Sequence, residues 1–166
     1  MFQGDSEGMT LQLPNAVLMP EVIRLLDEGH TVTLRLRGFS MRPFLENDRD
    51  KALFVKPQQI RVGDPVLAEV APHHYVFHRI IAIHGEEVTL RGDGNLQEEH
   101  CRLADVRGTV VGFYRKGRKR LDPIDGWKWR VYSWVWTRLF PVRRYLLAIY
   151  RRLVLNEWGK LGEKNK

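Results

Sequence analysis

Cysteine is almost absent from this 166-residue chain. Cys101 stands alone, which excludes an internal disulfide framework and a four-cysteine zinc site. Long apolar runs are missing as well. The nearest to one, residues 131–150, carries Arg138, Arg143 and Arg144 around Pro141. A central arginine costs roughly 2.5 kcal/mol or more on insertion scales, so this segment is not expected to span a bilayer. The opening MFQGDSEGMTLQL has no basic stretch leading into an apolar run, and therefore does not read as a secretory signal. Together these absences predict a cytoplasmic chain, or one peripheral at the inner face of the membrane.

Several chemistries also lack their residues. There is no GxGxxG, no P-loop, no HExxH and no CxxC pair, and His73, His74, His78, His100 and Cys101 follow no metal-ligand spacing. No cofactor and no metal are expected. What is present is a division of charge. Residues 1–112 hold 12 Lys/Arg against 16 Asp/Glu, whereas residues 113–166 hold 15 against 4. All five tryptophans, Trp127, Trp129, Trp134, Trp136 and Trp158, lie in that basic part.

Hydrophobic periodicity predicts a mainly β fold with helices at both ends. Val17, Leu18, Val22, Leu25 and Leu26 share one face of a helix over 15–28, with Asn15 available as N-cap and Gly29 past the end. Short runs rich in β-branched or aromatic residues follow at 31–37, 51–56, 65–70, 75–83, 87–91 and 107–114, bounded by Gly, Pro, Asn or Asp. They read as a small antiparallel sheet or barrel. Residues 126–140 and 142–157 read as amphipathic helices broken at Pro141. The organisation expected is a flexible N-terminus over 1–14, a body over 15–114 and a basic, Trp-rich helical tail over 115–166.

Three patches in the body could carry chemistry. Gly38-Phe39-Ser40-Met41-Arg42-Pro43 follows a strand, and a serine at such a corner exposes its hydroxyl beside backbone N–H groups. A plain turn uses the same residues. His78 lies within an apolar strand, sharing a face with Val76 and Ile80 opposite Phe77, Arg79 and Ile81. It reads either as a core histidine or as a general base kept neutral by desolvation. Gly92-Asp93-Gly94-Asn95 is a turn signal whose carboxylate could orient an imidazole.

Taken in order, these patches resemble the S24/S26 serine peptidases, the clan of type I signal peptidases and LexA-like self-cleaving repressors. The residues carrying the resemblance are Ser40-Met41-Arg42-Pro43, Gly63-Asp64-Pro65-Val66, His78-Arg79-Ile80-Ile81, Gly92-Asp93-Gly94-Asn95 and the run Gly108–Gly112. They span about residues 30–114. A histidine at 78, where many members carry lysine, is similar to the archaeal and endoplasmic-reticulum signal peptidases.

The resemblance implies a serine endopeptidase with Ser40 as nucleophile, His78 as general base and Asp93 supporting it. The Ser40 N–H would serve as oxyanion donor, and the substrate would be a peptide or protein segment bound as an added strand. Glu98 and Glu99 are rival candidates for the supporting carboxylate. Gly38 stands where many signal peptidases place a second serine, leaving backbone donors only around Ser40 and Met41. The membrane anchor of secretory signal peptidases has no counterpart, its place taken by the helix over 15–28. Two other readings stay open: a non-catalytic peptide-binding module on the same fold, and a LexA-like self-cleaving regulator, which the single leading helix disfavours.

The tail admits three readings. It could lie on an anionic membrane surface or dock a protein partner, with Trp and Tyr at the interface and Arg towards headgroups. It could pack Trp127, Val131, Trp134 and Val135 on the body or a second subunit. Nucleic acid is the third, and the acidic body argues against it.

Overall fold

The computed structural model describes residues 15–162, and side chains from Val17 to Leu153. The expected flexible segment 1–14 and the Trp158 side chain lie outside the described residues. The chain runs α1 (Asn15–Asp27), then β1 (Val32–Arg35), β2 (Lys51–Val55), β3 (Pro65–Ala71), β4 (His74–His84), β5 (Glu87–Arg91), β6 (Glu98–Arg102), β7 (Val106–Tyr114) and β8 (Leu121–Pro123). Two helices close it, α2 (Trp127–Arg138) and α3 (Arg143–Gly162), joined by a 3-10 turn at Phe140–Val142 that holds Pro141. The protein is therefore mainly β, an eight-stranded antiparallel sheet with helices at both ends.

The strands lie in the order β1-β2-β7-β3-β4-β5-β6. β7 is long enough to serve three neighbours: β2 along one edge, and β3 then β8 along the other. Two strands escape the sequence reading. β6 is Glu-Glu-His-Cys-Arg, an exposed edge with no apolar alternation to betray it. β8 is three residues long. Helix α1 buries Met19, Val22 and Leu26, which recur at i, i+3 and i+7. Val17, expected on that face, points outward instead. The helix stops at Gly29, whose φ of +88° suits glycine.

Two apolar clusters fill the interior. One, Val66, Ala68, Val76, Ile80, Val88, Leu90 and Val106, lies among β3, β4, β5 and β7. The other joins α1 to Met41, Phe44, Leu45, Phe54, Phe113 and Trp129. Trp129 belongs to the tail, yet its ring sits 4.9 Å from Phe44 and 5.0 Å from Phe113. Such centroid separations are within the range of favourable aromatic pairs. Tyr132 joins the group 4.5 Å from Phe44. The inner face of α2 is thus Trp129, Tyr132, Ser133 and Trp136. The residues offered above for packing, Trp127, Val131, Trp134 and Val135, form its exposed outer face.

Candidate active site

The segment after β1 turns sharply at Gly38, where φ is +90° and the N–H donates to Asn47 Oδ1 at 2.8 Å. A side chain would be strained in that backbone region. Ser40 follows at the corner. Met41, Phe44 and Leu45 beyond it plunge into the core, so apolar burial fixes the far side of the loop. Leu45 N–H donates back to the Met41 carbonyl at 3.1 Å.

The second loop, Gly92–Asn95, lies directly against the first. Gly94 N–H donates to the Ser40 carbonyl at 2.7 Å. A β-carbon at Gly92 would stand 2.6 Å from the Ser40 carbonyl oxygen and 3.0 Å from His78 Nε2. One at Gly94 would stand 2.4 Å from the Phe39 carbonyl oxygen. Both glycines are needed because backbone meets backbone here, a reason independent of turn formation. The same distances bring the Ser40 backbone and His78 Nε2 together at Gly92.

His78, 5% exposed, comes from β4. Its Nδ1 lies 2.6 Å from Glu99 Oε2, a contact that departs from a straight hydrogen bond. The register explains the approach. Ile80 on β4 is opposite Leu90 on β5, and Leu90 is opposite Glu99 on β6. That row shares a face with His78, two residues along β4. Burial pushes the imidazole below its usual value of 6.5, against an opposing pull from the Glu99 carboxylate.

Asp93 faces elsewhere. Its carboxylate accepts two hydrogen bonds from Arg79, Nε at 2.9 Å and Nη2 at 2.7 Å, and a third from the Tyr132 hydroxyl at 2.8 Å. Burial holds the Tyr132 hydroxyl well above its normal range, and it remains a protonated donor. Trp136 Nε1 donates to the Asp93 carbonyl at 3.0 Å. Arg79 also donates to the Gly63 carbonyl at 3.1 Å and to the Ser133 hydroxyl, with its guanidinium 4.4 Å above the Trp129 ring. Asp93 and Arg79 are 1% and 3% exposed. This bidentate pair ties the glycine loop to β4 and to α2.

Of the carboxylates weighed for His78, Glu99 is therefore the one in contact with its ring. Asp93 is spent on Arg79, and Glu98 pairs with Arg91 on the sheet edge. A lone arginine in an apolar strand is itself a sequence signal for a buried acidic partner, and Asp93 is that partner. Tyr132 and Trp136 leave no such signal, because nothing local links residues 132 and 136 to residue 93.

Neither the protein-family models nor the curated proteins contain a match to this chain.

Ser40, His78, Gly38 and Met41 line a cleft of about 700 Å³. Its other walls are Thr33–Arg37 at β1, Tyr75–His78 at β4, and the apolar Met19, Leu45, Phe54 and Leu67. Both strands present unpaired edges there. β1 pairs only with β2, and β5 pairs with β4 only from Arg79 onward. Among the described residues no acceptor takes the Ser40 N–H, and no hydrogen bond joins the Ser40 hydroxyl to His78. No trio of His, Cys, Asp or Glu among the described residues is placed to hold a metal ion.

Proposed function

We propose that this chain is a serine endopeptidase that cleaves an extended peptide or protein segment, with Ser40 as nucleophile and His78 as base. One observation carries the reading. The Ser40 backbone and Nε2 of a buried histidine both crowd a glycine that admits no side chain, Ser40 and His78 line one cleft, and a carboxylate touches the other ring nitrogen. A nucleophile, a base and an orienting group in series are the parts that acyl transfer needs.

The mechanism follows from the atoms. Burial keeps His78 neutral near pH 7, so Nε2 can accept the Ser40 proton as Oγ attacks the peptide carbonyl. Glu99 orients the ring and stabilises the imidazolium that forms. The unengaged Ser40 N–H is the donor for the tetrahedral oxyanion. His78 then protonates the leaving amine, and water attacks the acyl-serine with His78 again as base. The free edges of β1 and β4 supply backbone partners for an extended substrate. Neutral His78 is the active form, so turnover rises with pH through a midpoint that burial sets below 6.5.

The test is acylation measured by intact mass with an activated peptide ester. Wild type is expected to gain one acyl group on Ser40, and Ser40→Ala none. Equal adduct on both proteins contradicts the assignment. A second reading, peptide capture without cleavage, draws on the missing Ser40–His78 hydrogen bond and on Gly38, which offers no hydroxyl. It would give peptide binding to both proteins and acylation of neither.

A further inference from the structure

Helix α2 is apolar on two sides, and only one is used. Trp129, Tyr132 and Trp136 serve the core and Asp93. Trp127, Val131, Trp134 and Val135, spaced i, i+4, i+7 and i+8, form a second stripe facing away from the body. Trp127 is 73% exposed and Trp134 60%. The exposure continues through Phe140 and Val142 at the elbow and along Tyr145, Ile149 and Leu153 on α3. Isolated exposed apolar residues are ordinary, but a series along two consecutive helices is not.

The charge around this series has one sign. Between Trp127 and Leu153 the sequence has seven Lys/Arg and no Asp/Glu. Lys128, Arg130, Arg138, Arg144, Arg151 and Arg152 are all exposed. Their distribution discriminates among occupants. A second copy docked through the same face would bring like charges together, at a cost rather than a gain. A nucleic acid would use the cations and the indoles but gain nothing from Val131, Val135, Val142, Ile149 and Leu153, which offer no flat face to a base. An anionic bilayer surface uses all three kinds of side chain: aliphatics in the acyl boundary, indole and phenol at headgroup depth, and arginine on phosphate. Among the described residues no helix is long and apolar enough to cross a membrane, so the contact is peripheral.

We infer that the outer face of α2, the elbow and the exposed stripe of α3 form a docking surface for anionic phospholipid membranes. This does not rest on the peptidase reading. Deleting the tail is the wrong test, because Trp129 is part of the core. The full chain is instead sedimented with phosphatidylcholine vesicles and with vesicles containing phosphatidylglycerol. Wild type should partition at least about tenfold more strongly onto the anionic vesicles, and the preference should fade in high salt.

Trp127→Ala/Trp134→Ala should weaken that binding about tenfold, and R138Q/R144Q/R151Q/R152Q should abolish the anionic preference. Both variants should melt like wild type, since they alter exposed positions. Absence of wild-type binding to anionic vesicles overturns the inference, as does wild-type-like binding by the tryptophan variant. Self-association or polynucleotide binding through these residues without vesicle binding overturns it too.

Discussion

Two carboxylates lie within a few residues of each other in sequence and serve opposite faces of the same histidine strand. Asp93 is sealed under α2 and committed to Arg79 and Tyr132. Glu99 sits on the exposed edge strand β6, one-third open to solvent, with His78 as its neighbour. The difference separates building a site from operating one. A fully paired buried ion pair fixes a loop, and its neutralisation costs stability. A carboxylate at the rim of a buried imidazole changes that ring's proton affinity at little structural cost.

The largest contrast should come from removing each in turn. Asp93→Ala leaves the Arg79 guanidinium buried and unpaired, and is expected to cost about 3–5 kcal/mol in denaturant unfolding. Glu99→Ala, a partly exposed carboxylate beside a mostly neutral ring, should cost under about 1 kcal/mol. Equal losses from the two changes would erase the distinction. Gly92→Ala probes the seam between the two loops. Its methyl would collide with the Ser40 carbonyl and the His78 ring, and overpacking of this kind costs about 1–3 kcal/mol. On the proposed mechanism, acylation of Ser40 should fall as well, because the methyl would displace the backbone of the proposed nucleophile and the ring of the proposed base. Tyr132→Phe should be milder than Asp93→Ala or Gly92→Ala. Asp93 keeps both Arg79 hydrogen bonds, so the loss should be near 1 kcal/mol, read as a modest drop in melting temperature with acylation retained.

The sequence revealed this site unevenly. The strand carrying His78 and the corner carrying Ser40 were legible because apolar alternation and turn residues are local signals. Alternation also set Arg79 on the face opposite His78, which is why the neighbouring Asp93 serves the arginine. Glu99 was one of three candidates and nothing in its own segment could select it. β6 has no hydrophobic pattern, and the selection comes from cross-strand register through Leu90 to Ile80. Expectation failed most clearly at the tail. Both faces of α2 bear tryptophan, so periodicity alone could not say which would be buried. Phe44 and Phe113 decided for Trp129, and Asp93 for Tyr132 and Trp136.

The division of labour between the carboxylates is tested most directly by titrating the His78 imidazole by NMR in wild type and in Glu99→Gln. Burial depresses the wild-type value below 6.5, and Glu99 opposes that depression. Its neutral replacement should therefore move the midpoint lower still, with the fold unchanged. A midpoint unmoved by Glu99→Gln would contradict the account, and one that moved on Tyr132→Phe instead would return the role to Asp93.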